Sequence, residues 1–258
     1  YAINDVLPNY TGSLSIDYTP SNKVYLSARG GYFWRKLYNE GVYDGTRYLG
    51  WQRLGNEPRT IQGRLEAVLS RMSGEAVQVV GAGRTDAGAH ALGQVASFRT
   101  ASPLPAQEIL EYCNRYLPED IAVLAAEEAE PRFHARYRAS GKRYEYRIDS
   151  QPVPDVFRRR YAWHVFERLD LEAMRRAASL LVGEHDFRSY TALKSRSKST
   201  VRHLHSLRVE SGRGLVRLNL EADGFLYNMA RVIVGTLVEV GLGRMASERV
   251  AEILAARD

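Results

Sequence analysis

A single cysteine, Cys113, in 258 residues excludes a disulfide within the chain and any zinc site built on several thiolates. It fits a reducing compartment, and the cytoplasm is the expected location. Long apolar runs are missing: none approaches the roughly 18 residues of a membrane-spanning helix. With 45% hydrophobic and 26% charged residues, the chain is neither collagen-like nor of low complexity nor wholly disordered. Its length fits one or two domains, long enough to bury roughly three quarters of the unfolded surface. It starts at Tyr1 rather than Met and shows no basic, apolar, small-residue leader, which predicts a processed or truncated start.

Positive charge is abundant but regional. The net charge is +6, yet residues 131–208 hold 18 of the 36 Lys/Arg and only 8 of the 30 Asp/Glu. Such an excess suits a polyanion, most often nucleic acid, because each neutralised phosphate releases counterions; a solvated basic face is the alternative.

Residues 1–41 differ from the rest, being rich in Tyr, Ser, Asn and Gly. Alternation in 13–18 and 23–28 around Thr19-Pro20-Ser21-Asn22 predicts a hairpin, of the kind seen in outer-membrane barrels or in soluble proteins; a disordered leader explains the segment equally well. From Val42 the pattern is mixed. A helix is expected from Thr60, a possible cap, through Ile61, Leu65, Val68, Leu69 and Met72 to Ser73-Gly74. Strands are expected at 77–80, 94–98, 121–125 and 142–148, and helices at 105–116, 171–182 and 227–240. A hairpin is expected at 204–209 and 215–221 around Gly212-Arg213-Gly214. Strands interleaved with helices in two successive groups predict an α+β protein of two similar-sized halves.

The loop Gly81-Ala82-Gly83-Arg84-Thr85-Asp86-Ala87-Gly88 joins two predicted strands. Its glycines do not make a dinucleotide fingerprint, since Asp86 stands where the third glycine belongs and a strand follows where a helix is needed. A phosphate-binding P-loop, a nucleophile elbow and His-Glu-x-x-His are also missing. His203 and His205 can share a strand face, but no thiolate or carboxylate at suitable spacing completes a metal site, so no metal is expected. Asp86 is then a candidate nucleophile or base among small residues that admit a flat ligand. Arg84 could hold it ionised or contact phosphate, and an Asx-turn with a surface ion pair is the bland alternative.

Gly83-Arg84-Thr85-Asp86-Ala87-Gly88-Ala89-His90-Ala91 resembles the catalytic motif of the TruA-type tRNA pseudouridine synthases. Further stretches match in order: 43–52 (YDGTRYLGWQ), 60–66 (TIQGRLE), 117–121 (LPEDI), 133–137 (FHARY), 142–146 (KRYEY), 183–187 (GEHDF) and 225–235, which contains FLYNMAR and IVG. The resemblance covers about 42–258. It implies an enzyme that isomerises uridine to pseudouridine in the anticodon stem-loop of tRNA, at tRNA positions 38 to 40, without a cofactor. By motif match Asp86 would be the essential carboxylate, either forming an adduct with the sugar or abstracting the 2′ proton. Arg231 would pair with it and favour its charged form. Tyr144 would stack on the uracil and help remove the C5 proton, with Tyr146 as the competing choice. Arg84 would help extrude the nucleotide. Arg132, Arg136, Lys142 and Arg143, the run 158–160, and Lys194, Arg196 and Lys198 would hold phosphates.

The resemblance further implies two halves, each like an RNA-recognition module, with sheets merged across a central basic cleft, and a homodimer with no membrane association. The expected organisation is an unassigned extension at 1–41, a catalytic half at 42–139 and a second half at 140–258. The family's first strand is poorly matched at 37–42, and the chain ends in a helix before the family's last strand. Residues 193–200 are expected either to be mobile until RNA binds or to form an ordinary solvated loop. A silent RNA-binding module and a base-releasing hydrolase are the other functional classes.

Overall fold

The computed structural model describes residues 2–7, 31–34, 43–55, 57–130, 132–192 and 199–257. The predicted hairpin at 13–18 and 23–28, and the segments 37–42 and 193–198, lie outside these residues. In chain order the strands are β1 (Ala2–Leu7), β2 (Gly31–Trp34), β3 (Val79–Gly81), β4 (His90–Gly93), β5 (Ala96–Thr100), β6 (Glu127–Glu128), β7 (Gly141–Asp149), β8 (Trp163–His164), β9 (Gly183–Asp186), β10 (Val201–Gly212) and β11 (Leu215–Ala222). The helices are α1 (Ile61–Ser73), α2 (Ala106–Tyr116), α3 (Leu171–Ser179), α4 (Met229–Gly241) and α5 (Arg249–Ala256). The fold is α+β, and it divides into two compact units: Pro8–Ala139, and Tyr1–Leu7 with Ser140–Asp258.

In the unit Pro8–Ala139 the sheet order is β3-β5-β2-β6. Helix α1 starts where Thr60 Oγ1 accepts the Gly63 N–H and stops at Gly74, whose φ of +72° ends the helical hydrogen bonding. Its apolar face and that of α2 bury Ile61, Leu69, Ile109 and Cys113 against Tyr43, Trp51, Val79 and Ala91. Glu66 and Gln62 latch α1 to β3: Glu66 Oε1 accepts the Val79 N–H at 3.0 Å, and Gln62 Nε2 donates to the Val79 carbonyl at 3.0 Å.

Three expectations need correction here. The strand expected at 94–98 is β5, which begins only at Ala96; Gln94-Val95 form the break after β4, a strand the sequence reading did not expect, and the Gln94 side chain is drawn into the interior. The strand expected at 121–125 reduces to one bridge, Ile121 to Tyr43. The Asn114 side chain occupies both backbone groups of Val123, donating to its carbonyl at 2.7 Å and accepting its N–H at 2.8 Å, so no ladder partner is needed. The strand expected at 77–80 is the shorter β3, displaced by one residue at its end.

In the other unit the sheet order is β1-β7-β11-β10-β9, each pair antiparallel, with the short β8 parallel to the end of β7. The β10–β11 turn has Arg213 and Gly214 both at positive φ, 52° and 76°, the twist that a two-residue hairpin favours. Val216, Leu218 and Leu220 alternate into a core shared with Met174, Ala177, Ala178 and Leu181 of the α3 region and with Ile233, Val234 and Leu237 of α4. Helix α3 stops three residues before the expected 182, and α4 starts at Met229 because Asn228, at φ 59°, cannot continue a helix backwards.

Asp149, 2% exposed at the end of β7, organises the excursion that follows. Burial opposes its ionisation, but the N–H groups of Asp155 (2.9 Å) and Gln151 (3.2 Å) outweigh it and hold the carboxyl below its ordinary value. His164 Nδ1 lies 3.3 Å away, too poorly aligned for a full hydrogen bond. A depressed folded-state value means that the stabilisation is present above the unfolded carboxyl value, near pH 4, and is lost as pH falls through the folded one. Asp149→Asn is expected to cost about 1–3 kcal/mol at neutral pH. The difference from the parent should shrink below about pH 4 in thermal melts recorded across pH.

Candidate active site

The loop 82–89 leaves β3 and enters β4, and its side chains divide sharply. Thr85 is 7% exposed, whereas Arg84 and Asp86 on either side of it are exposed. The Ala89 N–H donates to the Asp86 carbonyl at 3.1 Å, closing a turn whose third residue, Gly88, has φ +74°. Only glycine adopts that conformation without strain. The Gly88 N–H in turn donates to the Tyr48 carbonyl at 3.1 Å.

The supports beneath the loop come from the stretch 43–52. Tyr43 OH and Thr85 Oγ1 are hydrogen-bonded at 2.9 Å, and the Trp51 N–H donates to the Thr85 carbonyl at 3.1 Å. The backbones of Tyr43 and Ala91 exchange both hydrogen bonds. Asp44 caps the short 3-10 turn Gly45–Arg47 by accepting the Thr46 N–H. His90, 4% exposed, places Nδ1 3.2 Å from the Gly45 nitrogen and 3.0 Å from Asp44 Oδ1. Without a proton Nδ1 accepts the amide, and with one it donates to the carboxylate. Asp120 fixes the far side: it accepts Arg47 Nε at 2.8 Å, Arg47 Nη2 at 2.7 Å and Tyr48 OH at 2.6 Å. Burial first, and then this hydrogen bond to a carboxylate, pushes the Tyr48 phenol well above its usual value. The motifs at 43–52, 60–66, 83–91 and 117–121 are thus one hydrogen-bonded assembly around Asp86.

On the same unit, Arg132 and Arg136 are exposed, in a segment tied to β5 by the Ala135 N–H donating to Ser97 Oγ at 3.2 Å. The other unit carries Lys142, Arg143, Tyr144 and Arg231. Tyr144 is half-buried on β7 and meets Phe225 edge to face at 4.7 Å. Tyr146, on the same strand face, is 5% exposed within the core. That difference separates the two tyrosines that strand alternation leaves equivalent: only Tyr144 has ring surface near solvent. Arg143 is 3.4 Å from Glu221 across the β7–β11 pair. Arg231 is exposed on the first turn of α4, six residues after Phe225. Lys194, Arg196 and Lys198 lie outside the described residues.

Among the described residues, no group of three or more His, Cys, Asp or Glu could hold a metal ion. His203 and His205 are both exposed, with ring centres 4.6 Å apart. No helix among those residues is long and apolar enough to cross a membrane.

Sequence reading alone did not find Tyr43, His90 or Asp120 as supports of the loop, nor Phe225 as the partner of Tyr144. The one available signal is a polar or aromatic residue standing among small or apolar neighbours.

This arrangement can be set beside known proteins. The family model for tRNA pseudouridine synthase matches residues 42–138 and 177–258. "tRNA pseudouridine synthase A" of Bacillus sp. (strain KSM-64) is 46% identical over 216 residues, 84% of this chain and 88% of the relative. The protein of the same name from Brevibacillus brevis is 48% identical over 217 residues, and that from Acetivibrio thermocellus 43% over 215, each covering 88% of the relative. The family match spans more than half of the chain, and these relatives are 43–48% identical to it over more than four fifths of its length: this chain belongs to the tRNA pseudouridine synthase family, of the TruA type.

Proposed function

We propose that this chain isomerises uridine to pseudouridine in tRNA, in the anticodon stem-loop at positions 38 to 40, with Asp86 as the reacting carboxylate. The observation that carries this reading is a solvent-facing carboxylate on a bend whose flanks are fixed by at least five hydrogen bonds to buried or backbone groups. Such a bend holds the reacting group still.

The chemistry balances within the substrate. The bond from N1 to C1′ breaks, the base turns, a bond from C5 to C1′ forms, the C5 proton leaves and N1 regains one. No electrons enter or leave, so no redox cofactor is required. Asp86 acts as an ionised carboxylate, either attacking C1′ or taking the 2′ proton. Tyr144 stacks on the uracil and assists removal of the C5 proton, and Arg231 pairs with Asp86. Arg84 helps draw the nucleotide out of the stem. Arg132, Arg136, Lys142, Arg143, Lys194, Arg196 and Lys198 hold phosphates, in keeping with the basic excess of 131–208.

In this reading 42–139 is the catalytic half and 140–258 the second half, and the enzyme works as a cytoplasmic homodimer. The test is incubation with a uridine-containing anticodon stem-loop RNA, followed by chemical adduct mapping and analysis of free bases. Pseudouridine in the RNA is expected. Free uracil would instead mean a hydrolase, and tight binding without either product a silent RNA-binding module.

A further inference from the structure

Gln94 sits at the break between β4 and β5 and is 2% exposed. Its Nε2 donates to the Gly83 carbonyl at 2.9 Å. That partner fixes the orientation of the amide, because a flipped side chain would set oxygen against oxygen. Its Oε1, however, is buried and accepts no hydrogen bond among the described residues. Gln94 also lines a cavity of about 60 Å³ whose other lining residues are almost all apolar, Ile61, Leu69, Val79 and Ile109 among them. A water there would lack the two to four polar partners it needs.

A buried acceptor left empty is a cost that an apolar residue of similar size would avoid, and native structures accept such costs chiefly where a function needs the group. What the amide holds is the carbonyl that leads into Arg84-Thr85-Asp86. The backbone at the same break holds the preceding residue, with the Ala82 N–H donating to the Val95 carbonyl at 2.8 Å. On the far side of Asp86, the Gly88 N–H and the paired backbone of Ala91 serve the same end.

We infer that Gln94 is a positioning residue for Asp86: its side-chain amide fixes the Gly83 carbonyl and thereby the entry to the bend that aims the carboxylate. The inference rests on the role proposed above for Asp86. Gln94 touches no substrate and acts only through the loop.

Gln94→Leu removes the donor and the empty acceptor together. The single-turnover rate of pseudouridine formation is expected to fall at least tenfold, since misplacement of a reacting group by about 1 Å can cost on the order of a hundredfold. Stem-loop affinity should stay within about twofold and the melting temperature within about 3 °C. A rate within twofold of the parent in a folded variant would overturn the inference.

Gln94→Glu supplies an independent reading, because a neutral acid can donate to the Gly83 carbonyl and an ionised one cannot. Its rate relative to the parent should fall as pH rises from about 5 to about 8, and a ratio flat in pH would overturn the inference even if the leucine variant does not fold. A parent protein that makes no pseudouridine sinks the Asp86 reading. An active parent with indifferent Gln94 variants sinks this inference alone.

Discussion

Asp86→Asn is expected to reduce pseudouridine formation at least about a thousandfold, because the amide neither attacks C1′ nor takes a proton from the sugar. The substitution keeps the shape of the side chain. The turn is closed by the Asp86 main-chain carbonyl, while Thr85, Gly88 and Ala91 carry the bonds to the support. An exposed side chain of this kind changes stability by about 0.5 kcal/mol at most, so thermal melts of parent and variant should nearly superimpose. Affinity for the stem-loop should stay within about threefold, since phosphate contacts dominate it. The measurement is single-turnover conversion followed by adduct mapping, with filter binding alongside. Appreciable product from the asparagine variant would remove the carboxylate from the mechanism.

Gly45→Ala is expected to be the most damaging small substitution in this chain. A Cβ built at Gly45 falls 1.9 Å from the Ala89 carbonyl oxygen and 2.6 Å from its carbon. Both obstructing atoms belong to the backbone that leads out of the Asp86 turn, so no flexible side chain can give way. Either the 3-10 turn lifts off, losing the contacts of Gly45 and Asp44 with His90, or β4 moves and takes the loop with it. A cost above about 3 kcal/mol is expected, a large part of a typical folding free energy. The melting temperature should drop by roughly 10 °C. Gly55→Ala is the control: its φ of +53° is left-handed, unlike that of Gly45, but a Cβ there meets nothing within 4 Å. That variant should show only the backbone penalty of about 1–2 kcal/mol and keep the activity. Equal melting temperatures for the two would contradict the packing described around Ala89.

Local signals served the helices well. Thr60 and Gly74 bound α1, Pro105 precedes α2, and the spacing of Leu171, Met174, Ala177 and Ala178 gives the buried face of α3. Alternation placed Val216, Leu218 and Leu220 correctly on the core face of β11. It failed where a side chain takes over a backbone's partner. Nothing local in Ile121-Ala122-Val123-Leu124 shows that Asn114, nine residues earlier on a helix, will satisfy Val123. Likewise the strand expected at 94–98 starts at Ala96, because nothing local shows that Gln94 turns inward.

The candidate site was legible as a motif rather than as an object. Asp86 and Arg84 follow from the resemblance, and the structure adds that they are outward neighbours of a buried Thr85. The supports were not legible, because each joins residues 42 to 72 positions apart through one hydrogen bond: Tyr43 to Thr85, Gly45 to His90, Tyr48 to Asp120. Strand alternation puts Tyr144 and Tyr146 on one face, and only three-dimensional burial tells them apart.

The bonds that grip the bend directly begin and end between Tyr43 and Val95. Short loops close at a lower entropic cost than long ones, and local contacts form sooner during folding. During synthesis, the cradle for residue 86 can therefore take shape while residues beyond 140 are still to be translated. A chain interrupted after residue 140 would then keep a formed bend without activity, whereas one interrupted before Val95 would have no bend at all.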